Sequence, residues 1–151
     1  MVVELPQVAE DGHIDSGAED VLELGHRGDL LFEQELTQPM GVMHGGALAS
    51  VADSAVAIAL WGLVGMDKIF TTIEMKINFI GPVGSGEVIA EGKIIHCGRM
   101  TAVGDVVIKD QDDRLVGKCV ATYMIIPVDE NNPRSPVWSN PGEEESEQES
   151  G

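Results

Sequence analysis

The chain has 151 residues, enough for one domain with a single hydrophobic core. Its 26 acidic and 9 basic residues give a net charge of −17, which excludes a binder of nucleic acid or anionic membrane, since both need a basic face. Five glutamates near the C-terminus (Glu143, Glu144, Glu145, Glu147, Glu149) carry part of the excess; the remainder suits an acidic soluble protein or one from a salt-rich cytoplasm.

In chain order, residues 1–19 read as irregular and lack the basic, apolar leader of a secretory signal, so a cytoplasmic protein is expected. Val21 to Leu36 predicts strand structure interrupted at Gly25–Gly28, and Thr37 to Gly46 predicts a loop. Ala47 to Val64 is the long helical candidate. Four strands follow, Phe70–Ile80, Glu87–His96, Thr101–Lys109 and Leu115–Ile126, separated by turn-forming segments. In the first of them Ile73, Met75, Ile77 and Phe79 alternate with Glu74, Lys76 and Asn78, which puts Thr72 on the polar face. From Asn131 onward the sequence predicts a disordered acidic tail, leaving residues 20–130 as one domain.

Residues 45–66 carry one charge, Asp53, and pass for a membrane span by hydropathy. Their Ala, Gly and Ser content, the missing basic flank and the central carboxylate argue for a core helix instead. A helix apolar nearly all round must be covered nearly all round. A long curled antiparallel sheet covers one side, an α+β arrangement, and a second copy of the chain is the simplest cover for the other.

Cys97 and Cys119 form no metal or redox motif and fit small buried hydrophobes in a reducing compartment. His13, His26 and His96 lack ligand spacing, so no metal and no resident cofactor are expected.

The residues that carry chemistry are Gln38, His44, Gly45, Gly46 and Asp53. Gly45 and Gly46 stand where a loop becomes a helix. There the first N–H groups lack partners and the dipole is positive, which suits a thioester oxygen gaining negative charge. A Gly-Gly pair equally serves as a plain tight turn. Asp53 is costly to bury and is rarely present for stability alone. Positions 45 and 53 differ by roughly 12 Å of helical rise, too far for both to act on one carbonyl from one chain. A two-fold dimer with antiparallel helices brings Gly45 of one chain near Asp53 of the other.

The run Gln38-Pro-Met-Gly-Val-Met-His44-Gly-Gly-Ala-Leu-Ala-Ser-Val-Ala-Asp53 resembles the signature of the hotdog acyl-CoA thioesterases. It is most similar to the phenylacetyl-CoA thioesterase-like branch of the 4-hydroxybenzoyl-CoA thioesterase superfamily. The resemblance continues through Thr72-Ile-Glu-Met-Lys-Ile-Asn-Phe-Ile-Gly-Pro82 and covers about residues 30–126. It implies a hotdog fold and hydrolysis of an aryl- or medium-chain acyl-CoA by a homodimer or homotetramer. It also implies that the Gly45 N–H polarises the carbonyl, that Gln38 assists there or orients water, and that Asp53 is general base or nucleophile. His44 would stand at the thioester end of the pocket, and Thr72 would help position water. The Ser or Thr that follows the acid by one turn in one branch is here Ala57, which favours the Asp-type branch. Coenzyme A enters only as part of the substrate. Its phosphates need cations, for which Arg99 is the first candidate, before Lys93 and Lys109. His44 with Asp53 also fits a hotdog dehydratase or hydratase, and a non-catalytic acyl-CoA sensor is a third reading.

Overall fold

The computed structural model describes residues 25–65, 68–126, 128–129 and 132–136. The expected irregular segment 1–19 and most of the expected tail lie outside them. The described part of that tail, Asn132–Pro136, is not irregular; it pairs as a short strand with Val128–Asp129.

Strand β1 (Gly25–Leu31) leads through a 3₁₀ turn (Gln34–Leu36) to helix α1 (Gly45–Val64). Strands β2 (Ile69–Phe79), β3 (Glu87–Cys97), β4 (Thr101–Asp110) and β5 (Leu115–Ile126) follow. They form one antiparallel sheet in the order β1-β3-β4-β5-β2, with α1 packed against it. This is the hotdog arrangement, and the predicted helix and four strands are present with ends displaced by at most two residues. The helix long and apolar enough to cross a membrane is the core helix of this sheet. Ala52, Ala55, Val56 and Leu60 are fully buried against Val88, Ala90, Ile94, Val106 and Ile108. On the opposite side Ser50 and Ser54 are exposed, together with Ile58 (42%) and Trp61 (39%).

Two sequence expectations are corrected here. Gly25 and Gly28 do not interrupt the first strand; both lie within β1, paired with Lys93 and Ala90 of β3. A Cβ at Gly28 would stand 3.4 Å from Val51 of α1, and one at Gly92 would stand 3.0 Å from the Ala55 backbone. One at Gly104 would press into the Val56 side chain more closely still. Glycines on three strands thus let the helix settle onto the sheet.

The second correction concerns β2. Its register against β5 shifts between Thr72 and Glu74, so Ile73 is an extra residue in a β-bulge and is 53% exposed. One extra residue reverses the inward–outward alternation. Thr72 therefore faces the helix together with Met75 and Ile77, instead of facing outward with Glu74 and Lys76. A matching shift in β3 exposes Ile95.

Candidate active site

The loop before α1 is tied down by its own backbone. The Gln38 N–H donates to the Val42 carbonyl at 2.9 Å, and the Gly41 N–H closes back on the Gln38 carbonyl. Gly41 takes φ 75°, a value that glycine adopts without strain. The Met43 and His44 N–H groups donate to the carbonyls of Val83 and Leu36, each at 2.7 Å. This brings Gln38, His44 and Gly45 to the wall of one open cavity of about 440 Å³, lined otherwise by Met40, Leu48, Phe79 and Ile80 among others.

His44 is the N-cap of α1. Its Nδ1 accepts the Gly46 N–H at 2.8 Å, and its carbonyl accepts the N–H groups of Ala47 and Leu48. A Cβ on residue 46 would stand 3.0 Å from that nitrogen, so glycine makes room for the cap. Gly46 thereby spends its donor inside the protein. Among the described residues the Gly45 N–H alone in this first turn has no hydrogen-bond partner. Gly45 also carries the Phe79 ring against its bare Cα; a Cβ there would stand 2.9 Å from Phe79 Cζ.

Two turns further on, the half-buried Asp53 is held by two strands. Thr72 Oγ1 donates to Asp53 Oδ1 at 2.8 Å, and the Tyr123 phenol donates to the same oxygen at 2.5 Å. That phenol also lies 2.8 Å from the Asp53 carbonyl. Thr72 and Tyr123 are cross-strand partners, so the bulge at Ile73 sets both donors under the acid. Burial, and then the bond to Asp53, hold the Tyr123 hydroxyl far above the usual phenol range, so it is a donor at any ordinary pH. The Tyr123 ring is buried edge-on to Phe70, with centroids 5.8 Å apart, and Phe70 in turn packs on Trp61 at 5.2 Å.

Tyr123 is the partner of Asp53 that sequence reasoning missed. It sits in an apolar strand whose inward residues otherwise need no partner; the one available signal was that a buried phenol requires an acceptor. The structure brings Thr72 to Asp53, and Gln38, His44 and Gly45 to one another, but the two groups remain two helical turns apart. Arg99, exposed in the β3–β4 turn, makes no ion pair among the described residues. Ala102, three residues after Arg99, lies in the row Ala102–Tyr123–Thr72, whose last two members bond Asp53. Lys109 is instead committed to Glu91 and Asp113, at 3.4 and 2.9 Å. Lys93 lies in a groove on the outer face of the sheet with Arg27, Asp105 and Lys118. Burial raises both thiols, that of Cys119 to about 11, so neither is a nucleophile at neutral pH. Among the described residues no three His, Cys, Asp or Glu side chains are grouped as metal ligands.

Comparison with known proteins agrees with this geometry. Residues 40–117 match the family model of the thioesterase superfamily. A Saccharolobus solfataricus protein with a provisional esterase name is 31% identical over 99 residues, 65% of this chain and 69% of its own. The 1,4-dihydroxy-2-naphthoyl-CoA hydrolase of Listeria monocytogenes is 29% identical over 92 residues, 61% of this chain and 73% of its own. Among solved structures, the conserved protein PA5202 of Pseudomonas aeruginosa superposes with a TM-score of 0.66 at 30% identity, covering 74% of this chain and 94% of that one. The chain belongs to the thioesterase superfamily. It is a thioester hydrolase with the hotdog fold.

Proposed function

We propose that the protein hydrolyses an aryl- or medium-chain acyl-CoA to the free acid and coenzyme A, in active sites shared between two copies of the chain. One observation carries the reading: an N–H without a partner among the described residues at the first turn of α1 and a clamped carboxylate two turns later lie on the same helix. The Gly45 N–H polarises the thioester carbonyl, with Gln38 beside it, and the acyl group occupies the apolar cavity. Asp53 of the other copy either takes a proton from the attacking water or attacks the carbonyl carbon itself; in both cases the coenzyme A thiolate leaves.

The composite site follows from the helix. A separation of roughly 12 Å between positions 45 and 53 bars one chain from using both on one carbonyl. Among the described residues nothing covers the apolar side that carries Ile58, Trp61 and Ile73, and β2 is an edge strand of the sheet. Ser50 and Ser54 turn their hydroxyls onto carbonyls of their own helix, so neither leaves a free donor toward a partner. The working form is thus a cytoplasmic homodimer at least, with pairing into tetramers the further expectation. Arg99, on the side of the chain that supplies the acid, is the cation for a coenzyme A phosphate.

The test is release of free thiol from a panel of aryl- and fatty-acyl-CoAs. Turnover by the wild type that is lost in Asp53→Asn is the expected result, and equal turnover by both would overturn it. Mixed dimers of Asp53→Asn and Gly45→Val chains should regain activity that neither parent has. Continued inactivity of folded mixed dimers would return the whole site to a single chain.

A further inference from the structure

Resting on that reading, we propose that Tyr123 is a positioning residue for the acid. With Thr72 it fixes Asp53 Oδ1, so that Oδ2 is the oxygen that meets water or the thioester. Both described donors converge on Oδ1, at 2.8 and 2.5 Å, and none among the described residues reaches Oδ2. A carboxylate held by one donor still swings about its bonds to the chain. Two donors on one oxygen, from adjacent strands, fix both its tilt and the direction in which the second oxygen points.

The arrangement goes beyond satisfying a buried phenol. One acceptor suffices for that, and the Asp53 backbone carbonyl stands 2.8 Å away. The phenol's one hydrogen instead lies nearer the side chain, 2.5 Å from Oδ1 against 2.8 Å to the carbonyl, so the carboxylate takes the stronger share of it. Its ring cannot drift, because Phe70 meets it edge-on and Trp61 backs Phe70. Tyr123 itself touches no substrate in this scheme. It acts through the orientation of Asp53.

The experiment compares Tyr123→Phe, Thr72→Val and Thr72→Ser with the wild-type full chain, on whichever acyl-CoA the wild type hydrolyses best. Tyr123→Phe and Thr72→Val should lower kcat roughly 10- to 100-fold. KM should stay nearly constant, because the lost interaction orients the acid and does not bind substrate. Thr72→Ser, which keeps the hydroxyl, should recover most of the rate. Unchanged kcat in Tyr123→Phe would overturn the proposal. So would equal losses in the two Thr72 variants, which also decide the matter if the Phe variant does not fold. If the wild type cleaves no thioester, the functional reading fails separately. The positioning is then read from the Asp53 carboxylate infrared band, isolated by difference against Asp53→Asn. A band displaced in Tyr123→Phe supports the clamp, and an identical band overturns it.

Discussion

The two candidate regions of α1 are built in opposite ways. Its first turn offers a backbone donor at the wall of an open cavity, prepared by a loop whose bonds run between near neighbours, Val83 apart. Its middle offers a side chain whose bonds reach 19 and 70 positions along the chain, to Thr72 and Tyr123. The difference has a physical basis. A helix end carries an unpaired N–H wherever it occurs and needs only a cap and an approach path. A buried carboxylate needs donors, and no residue on its own apolar helix face supplies them. The first region is therefore local and adaptable, and the second exists only when the sheet is folded beneath it.

Breaking each region should separate chemistry from stability. The largest effect is expected from Asp53→Asn: kcat should fall by about 10²- to 10⁴-fold. The melting temperature should change little, because the amide oxygen still accepts from Thr72 and Tyr123. Kinetics and a thermal melt on one preparation check both halves. Next comes a pair of glycines. Gly104→Ala presses on Val56, which is fully buried between helix and sheet, and should cost about 1–3 kcal/mol of stability by denaturant unfolding. Gly45→Ala meets only the rim of a half-exposed Phe79 ring that can swing aside. It should leave stability nearly intact and raise KM instead, as the ring moves into the cavity. Equal destabilisation by the two would mean that the first turn is as tightly built as the core.

His44→Ala removes the cap and should cost about 1 kcal/mol, read as a lowered melting temperature. The smallest effect is in acid. Asp110, buried at the β4–β5 hairpin, accepts from Arg114 at 2.7 Å and from the N–H groups of Asp112 and Arg114. The Arg114 hydrogen bond, the strongest influence on it, holds the carboxyl below its ordinary range. A lowered native pKa contributes stability that is fully present above about pH 4 and fades as pH falls through the native value. The drop in melting temperature between pH 5 and pH 3 should therefore be smaller in Asp110→Asn. This hairpin carries Val116, whose carbonyl receives the Ile80 and Gly81 N–H groups beside the cavity. Acid should thus loosen the cavity region.

Much of this protein was written in local pattern. The apolar run around Asp53, the alternation along the four strands and the turns between them determined one helix and an antiparallel sheet. The spacing from Gln38 through His44 and Gly45 to Asp53 determined the candidate donor and acid, because a helix start and a lone carboxylate are both local features. Tertiary structure alone decided three further matters. Gly28, Gly92 and Gly104 proved to be seats for the helix, since only packing shows what a missing side chain makes room for. The bulge at Ile73 turned Thr72 inward, because a one-residue shift in pairing leaves the hydrophobic pattern of the strand unchanged to the eye. Tyr123 became the partner of Asp53 for the same reason: hydrogen bonds between residues 70 positions apart are fixed by strand register, and register is set only when the sheet closes over the helix.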